Sequence, residues 1–71
     1  MIVVNYRQRL REIREDRDLS QEEIGKVINN SQQGYSHIEN GRAELKIEDL
    51  IRLCEYYQLP ADYLIGRIDK Y

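Results

Sequence analysis

The chain has 71 residues, 41% of them apolar, with 13 acidic side chains against 11 Lys and Arg and a formal net charge of −2. That is enough for one small domain with an ordinary core, spanning residues 1–71, and no more. A lone cysteine, Cys54, excludes an internal disulfide and a multi-cysteine metal site and makes a reducing cytoplasm the expected compartment. The apolar start Met1-Ile2-Val3-Val4 gives way at once to Asn5-Tyr6-Arg7, too short for a signal peptide or a membrane span, so no membrane partner is expected.

Beyond Ile2–Val4 there is no alternating strand pattern, repeat or linker, so the expected fold class is all-α. A first helix is predicted over Asn5–Asp16, with Tyr6, Leu10 and Ile13 on one stripe and Arg14 and Arg17 beside it. Ser20 is a good N-cap for a second helix, and Glu23 three residues on completes a capping box. Ile24, Val27 and Ile28 form its buried stripe. Gly25 costs helix stability relative to alanine, and close packing against the next helix is the expected compensation. Asn29 falls where the turn needs a left-handed backbone, which asparagine tolerates. Ser31 caps a third helix with Tyr35 and Ile38 as apolar positions, and Asn40-Gly41 closes it. After a loop through Arg42–Lys46, a fourth helix spans Ile47–Tyr57. There Ile47, Leu50, Ile51, Leu53, Cys54 and Tyr57 give a broad apolar face, and Glu48 and Asp49 suit the dipole of the first turn. Pro60 begins a short fifth helix containing Tyr63, Leu64 and Ile65, ended by Gly66.

Two short helices, each opened by a serine and joined by a tight turn at Asn29-Asn30, are the outline of a helix-turn-helix. The second of the pair begins with Gln32-Gln33. A glutamine side chain offers a donor and an acceptor together, the complement of adenine in the major groove. The outline therefore points to double-stranded DNA as partner. The net charge of −2 argues the other way, since affinity for DNA depends on neutralising phosphates. Distribution softens the objection. Arg7, Arg9, Arg11, Arg14 and Arg17 outnumber the four acids of the first nineteen residues, while acids gather instead at Glu22-Glu23 and in the last third.

Four segments, Leu10-Arg11-Glu12-Ile13-Arg14, Leu19-Ser20-Gln21-Glu22-Glu23-Ile24-Gly25, Ser36-His37-Ile38-Glu39-Asn40-Gly41 and Ala61-Asp62-Tyr63-Leu64-Ile65-Gly66, together resemble the Xre/Cro-C1 family of bacterial and phage helix-turn-helix regulators over about residues 7–66. The resemblance implies a compact five-helix bundle of the lambda-repressor-like DNA-binding type. It implies that Gln32, Gln33 and His37 are outward recognition positions that contact bases, and that Gln21, Asn40 and Arg42 contact phosphates. It also implies an ion pair, Arg14–Glu39, tying the first helix to the end of the recognition helix. Lys46 is a further phosphate candidate on its charge. Three positions depart from the family pattern: Asn30 takes a turn position that is usually apolar, which implies a less firmly seated third helix. Tyr35 replaces the usual valine or isoleucine and needs a larger pocket, and Lys46 stands where a Ser or Thr cap is common.

His37 is the only histidine, and no second His, Cys or suitably spaced carboxylate set accompanies it. No metal and no cofactor are expected, and His37 is placed outward against DNA. Cys54, on the apolar stripe of the fourth helix, reads as a small buried hydrophobe. Tyr56, Tyr57, Tyr63 and Tyr71, with Ile65 and Ile68, load the C-terminal end with apolar surface, and Ile2–Val4 raise the same question at the other end. In the family the C-terminal end often builds a two-fold dimer, so a homodimer through it is expected. The expected function is a sequence-specific transcriptional regulator, a repressor binding a palindromic operator as a homodimer, with no enzymatic group and no small-molecule ligand. The alternative is a protein-interaction module of the same fold, antitoxin-like or polymerase-binding, which the net charge and the uncharged recognition turn favour. The charge of the third-helix face discriminates between them.

Overall fold

Three side-chain caps set the first three helices. In the computed structural model, which describes residues 5–71, the Asn5 side chain accepts from the Arg7 N–H at 2.8 Å and α1 runs Tyr6–Asp16. The Ser20 hydroxyl accepts from the Glu23 N–H at 3.1 Å while the Glu23 carboxylate accepts from the Ser20 N–H at 3.0 Å, a complete capping box opening α2 (Gln21–Val27). Ser31 accepts from the Gly34 N–H at 3.0 Å and opens α3 (Gln32–Glu39). Helix α4 (Ile47–Tyr57) starts where the pattern places it although Lys46 provides no side-chain cap, and Glu48 and Asp49 occupy its first turn. Helix α5 is a single turn, Ala61–Leu64, behind Pro60, and Ile65 is its C-cap. Asn29 turns with φ +56° as expected, and Asp18 and Gln58 do the same after α1 and α4. The run Ile2–Val4 lies outside the described residues.

The helical stripes close on Leu10, Ile13, Ile24, Ile28, Tyr35, Ile38, Leu53, Tyr57, Leu59 and Leu64. Helix α3 packs against α2 and α1, and α5 closes the other end against α1 and α4. Tyr35 is fully buried, so the pocket has grown to fit it. Two positions of α4 expected to face inward do not: Ile47 is 65% and Ile51 53% exposed. The six apolar residues of that helix cover about 160° of arc at 100° per residue, more than its neighbours reach. Leu53 and Tyr57, at one edge of the arc, are buried, Leu50 and Cys54 at its middle are partly buried, and the two isoleucines at the other edge are left outside. No described helix is long and apolar enough to cross a membrane.

Arg9 is the largest departure from the sequence reading. It is 2% exposed. Its guanidinium donates to the carbonyls of Tyr63 at 3.3 Å and Ile68 at 3.2 Å and to the Asp69 carboxylate at 3.3 Å, and lies 4.1 Å from the Tyr63 ring centre. A buried charge is tolerable when it is paired and hydrogen-bonded in this way, and it fastens the chain beyond α5 to α1.

Candidate nucleic-acid interface

The position of α3 is fixed first by the turn before it. The Asn30 N–H donates to the Gly25 carbonyl at 2.8 Å. A Cβ on Gly25 would stand 2.8 Å from the Ser31 carbonyl oxygen and 3.0 Å from that of Asn30. The close packing expected at Gly25 is present, against the backbone of the turn itself.

The far end of α3 is fixed by Glu39, which is 3% exposed. Arg14 Nε donates to one carboxylate oxygen at 2.8 Å and Nη2 to the other at 3.1 Å, the fork geometry that suits a carboxylate. Gln21 Nε2 donates at 3.2 Å, and Arg11 Nε lies 3.7 Å away. Burial pulls the Glu39 carboxyl upward; the bonds from Arg14 and Gln21 outweigh it and hold the group below the usual carboxylate range. Burial also pushes the Tyr35 and Tyr57 phenols well above their ordinary range, and their hydroxyls have no hydrogen-bond partner among the described residues.

After α3 the chain folds back on itself. The N–H groups of Arg42 and Ala43 both donate to the His37 carbonyl, at 2.8 and 3.1 Å. Arg7 reaches across from α1 and donates to the carbonyls of Ile38 and, at 2.7 Å, Ala43. That clamp brings Arg42 alongside α3.

The result is one open groove lined by Gln21, Ser31, Gln32, Gln33, Ser36, His37, Asn40 and Arg42. All the expected contact residues are gathered there except Lys46. Gln32, Gln33, Asn40 and Arg42 are exposed, and Gln21 and His37 are half-buried. Lys46 is exposed and lines an adjoining groove with Asn30, Glu44, Glu48, Asp49 and Arg52, and His37 borders both. Ser31 and Ser36 were not singled out from the sequence. Ser36 follows Gln32 by four residues, the spacing that puts two side chains on one helical face.

Charge is divided between the two grooves. The one along α3 carries a guanidinium and no carboxylate, while the adjoining one carries Glu44, Glu48 and Asp49 against Lys46 and Arg52. The arginine excess of the first nineteen residues does not supply a free cationic face. Arg7, Arg9 and Arg14 are bonded inside the fold, Arg11 lies beside Glu39, and Arg17 sits 5.2 Å from the Tyr57 ring centre. Arg42 and Lys46 make no ion pair among the described residues. Cys54 is half-buried against the core, and burial pushes its thiol up.

A family model described as helix-turn-helix matches residues 10–64. Among solved structures, a transcriptional regulator from Listeria innocua superposes with a TM-score of 0.84 at 24% identity, covering 94% of this chain and 63% of that one. The chain thus spans less than two thirds of that regulator. The DNA-binding domain of the P22 c2 repressor matches with a TM-score of 0.79 at 27% identity, covering 93% of this chain and 87% of that domain. No curated protein sequence matches.

Proposed function

Because the chain belongs to the Xre/Cro-C1-type helix-turn-helix family, we propose that it is a sequence-specific, double-stranded DNA-binding transcriptional regulator, a repressor acting as a homodimer on a palindromic operator in a bacterial or phage-infected cytoplasm. The observation that carries this reading is the groove along α3: the expected base and phosphate residues, Lys46 apart, line it without a carboxylate in a chain of net charge −2. Helix α3 enters the major groove with Gln32 and Gln33 foremost, each able to bond adenine through both atoms of its amide. Asn40 and Arg42 hold phosphates at the C-terminal end of the helix, and Gln21, bonded to Glu39 at that same end, holds another from the start of α2. These contacts set register, and the base contacts set sequence. The P22 c2 domain, similar over nearly the whole chain, is named as DNA-binding.

Exposed Ile47 and Ile51, with an apolar groove lined by Tyr6, Leu45, Ile47, Leu50 and Ile65, support pairing with a second copy. The C-terminal end contributes Ile65, α4 contributes Ile47, Leu50 and the exposed Ile51, and Tyr6, Glu44 and Leu45 complete the rim. Two copies related by a two-fold axis would set their recognition helices about one helical turn of DNA apart. The same exposed isoleucines favour the second reading, a protein-interaction module. Selection from a random pool of duplex DNA decides between them. Enrichment of an inverted repeat supports the regulator. Absence of any enriched sequence at low salt, from a folded protein, sinks it and promotes the module.

A further inference from the structure

Two glycines face the same dipeptide from opposite helices. Gly25 of α2 leaves room for the carbonyls of Asn30 and Ser31. Gly34 of α3 leaves room for the Asn30 side chain: a Cβ there would stand 2.1 Å from Asn30 Oδ1, 2.6 Å from Cγ and 2.8 Å from Nδ2. The amide of Asn30 therefore fills the notch that any other residue at position 34 would occupy. Its Oδ1 accepts from the Ser31 N–H at 2.8 Å, and the Ser31 hydroxyl in turn accepts from the Gly34 N–H at 3.0 Å. Asn30, Ser31 and Gly34 close a small loop of contacts around the first turn of α3. The polar residue at this turn position, expected to seat α3 less firmly, is matched by a glycine one helical turn beyond the cap.

We propose that Asn30, seated in the notch of Gly34, is a positioning residue that sets the aim of Gln32 and Gln33 at the bases. The proposal rests on the regulator reading. The side chains of Gln32 and Gln33 make no hydrogen bond among the described residues, so their direction comes from the backbone turn that carries them. A paired donor–acceptor contact to a base edge demands angular alignment, whereas a phosphate contact is tolerant of it. Asn30 thus governs discrimination between sequences more than affinity for DNA in general.

The test compares affinity for the selected operator with affinity for random duplex in the wild type, Asn30→Ala, Gly34→Ala and the double variant, with thermal unfolding followed in parallel. Each single change is expected to lower the operator-to-random ratio about tenfold and to leave random-DNA affinity within about twofold. Gly34→Ala evicts the Asn30 side chain yet adds a better helix former, so its melting temperature holds or rises while discrimination falls. A merely structural role does not produce that opposition. The double variant should lose no more than the worse single, because both remove one contact. Unchanged ratios in the singles, or losses that multiply in the double, overturn the proposal while the regulator reading stands. A wild type with no preferred sequence overturns the regulator reading and this proposal with it.

Discussion

Gln21 Nε2 donates at 3.2 Å to Glu39 Oε1, the same oxygen that Arg14 Nη2 reaches at 3.1 Å. One carboxylate at the end of α3 thus holds the first residue of α2 and, through Arg14, the last turn of α1. The residue expected to meet a phosphate is oriented from inside the fold before DNA arrives.

Arg14→Ala leaves Glu39 buried with Gln21 and a more distant Arg11. Removing one partner of a buried pair costs about 3 kcal/mol or more. Arg11 is half exposed and 3.7 Å from the carboxylate, so Arg11→Ala should cost less than about 1 kcal/mol. Urea unfolding of the two variants measures the difference, and equal losses would reject the tie as the stronger contact.

Acidification tests the same carboxylate. The Glu39 carboxyl titrates in the folded chain below its ordinary value of 4.5. Its contribution is therefore complete above that value and disappears as pH falls through the lower, folded one. Glu39→Gln should be less stable at neutral pH and should lose less on acidification than the wild type. Denaturation midpoints measured from pH 7 down to about 3 read this directly; parallel curves would show that Glu39 is not a proton-linked anchor.

For base readout, Gln32→Ala or Gln33→Ala should each cost about 1–3 kcal/mol on the selected operator and little on random duplex. Equal loss on both kinds of DNA would reassign the residue to phosphate contact.

Salt dependence counts the cations that remain free. With Arg7, Arg9 and Arg14 bonded internally, Arg42 and Lys46 are left beside α3, and the proposed dimer would carry two of each. A dimer neutralising four phosphates gives a slope of log affinity against log salt of about −4. A slope near −7 in a titration series would show that the α1 arginines swing out on binding.

Pairing through α4 predicts that Ile51→Glu stays folded and sediments as a monomer where the wild type sediments as a dimer. Its dimerisation should weaken at least about tenfold, the effect of losing an apolar anchor from an interface. Unchanged sedimentation would move the dimer face elsewhere.

What the sequence made legible is local. The capping box at Ser20 and Glu23, the Ser31 cap and the left-handed Asn29 are read from neighbours within a few residues, and all three are present. Arg14–Glu39 spans 25 residues and was legible only through the family pattern. Arg7 and Arg9 were not legible, because they bond mostly to main-chain carbonyls distant in sequence, and a carbonyl carries no residue signature. Arg9 stands three residues after Tyr6 and four before Ile13, but a charged side chain at such a position does not by itself mark a buried one. For α4, periodicity showed which side is apolar but not how much of it a neighbour covers, hence the error at Ile47 and Ile51. Of the candidate site residues, Gln32 and Gln33 were legible from the turn before them, whereas Gln21, His37, Asn40 and Arg42 were named only through the family pattern; the structure lines one groove with all six.

Helix α3 keeps its two tasks on separate residues. Tyr35, Ile38 and Glu39 point inward and are buried, while Gln32 and Gln33 lie exposed and carry none of the packing. Substitutions on the outer set therefore leave the inner set untouched. On the proposed regulator reading, a lineage carrying this frame can change the base pairs it selects through intermediates that all fold. Recognition and architecture are free to evolve at different rates.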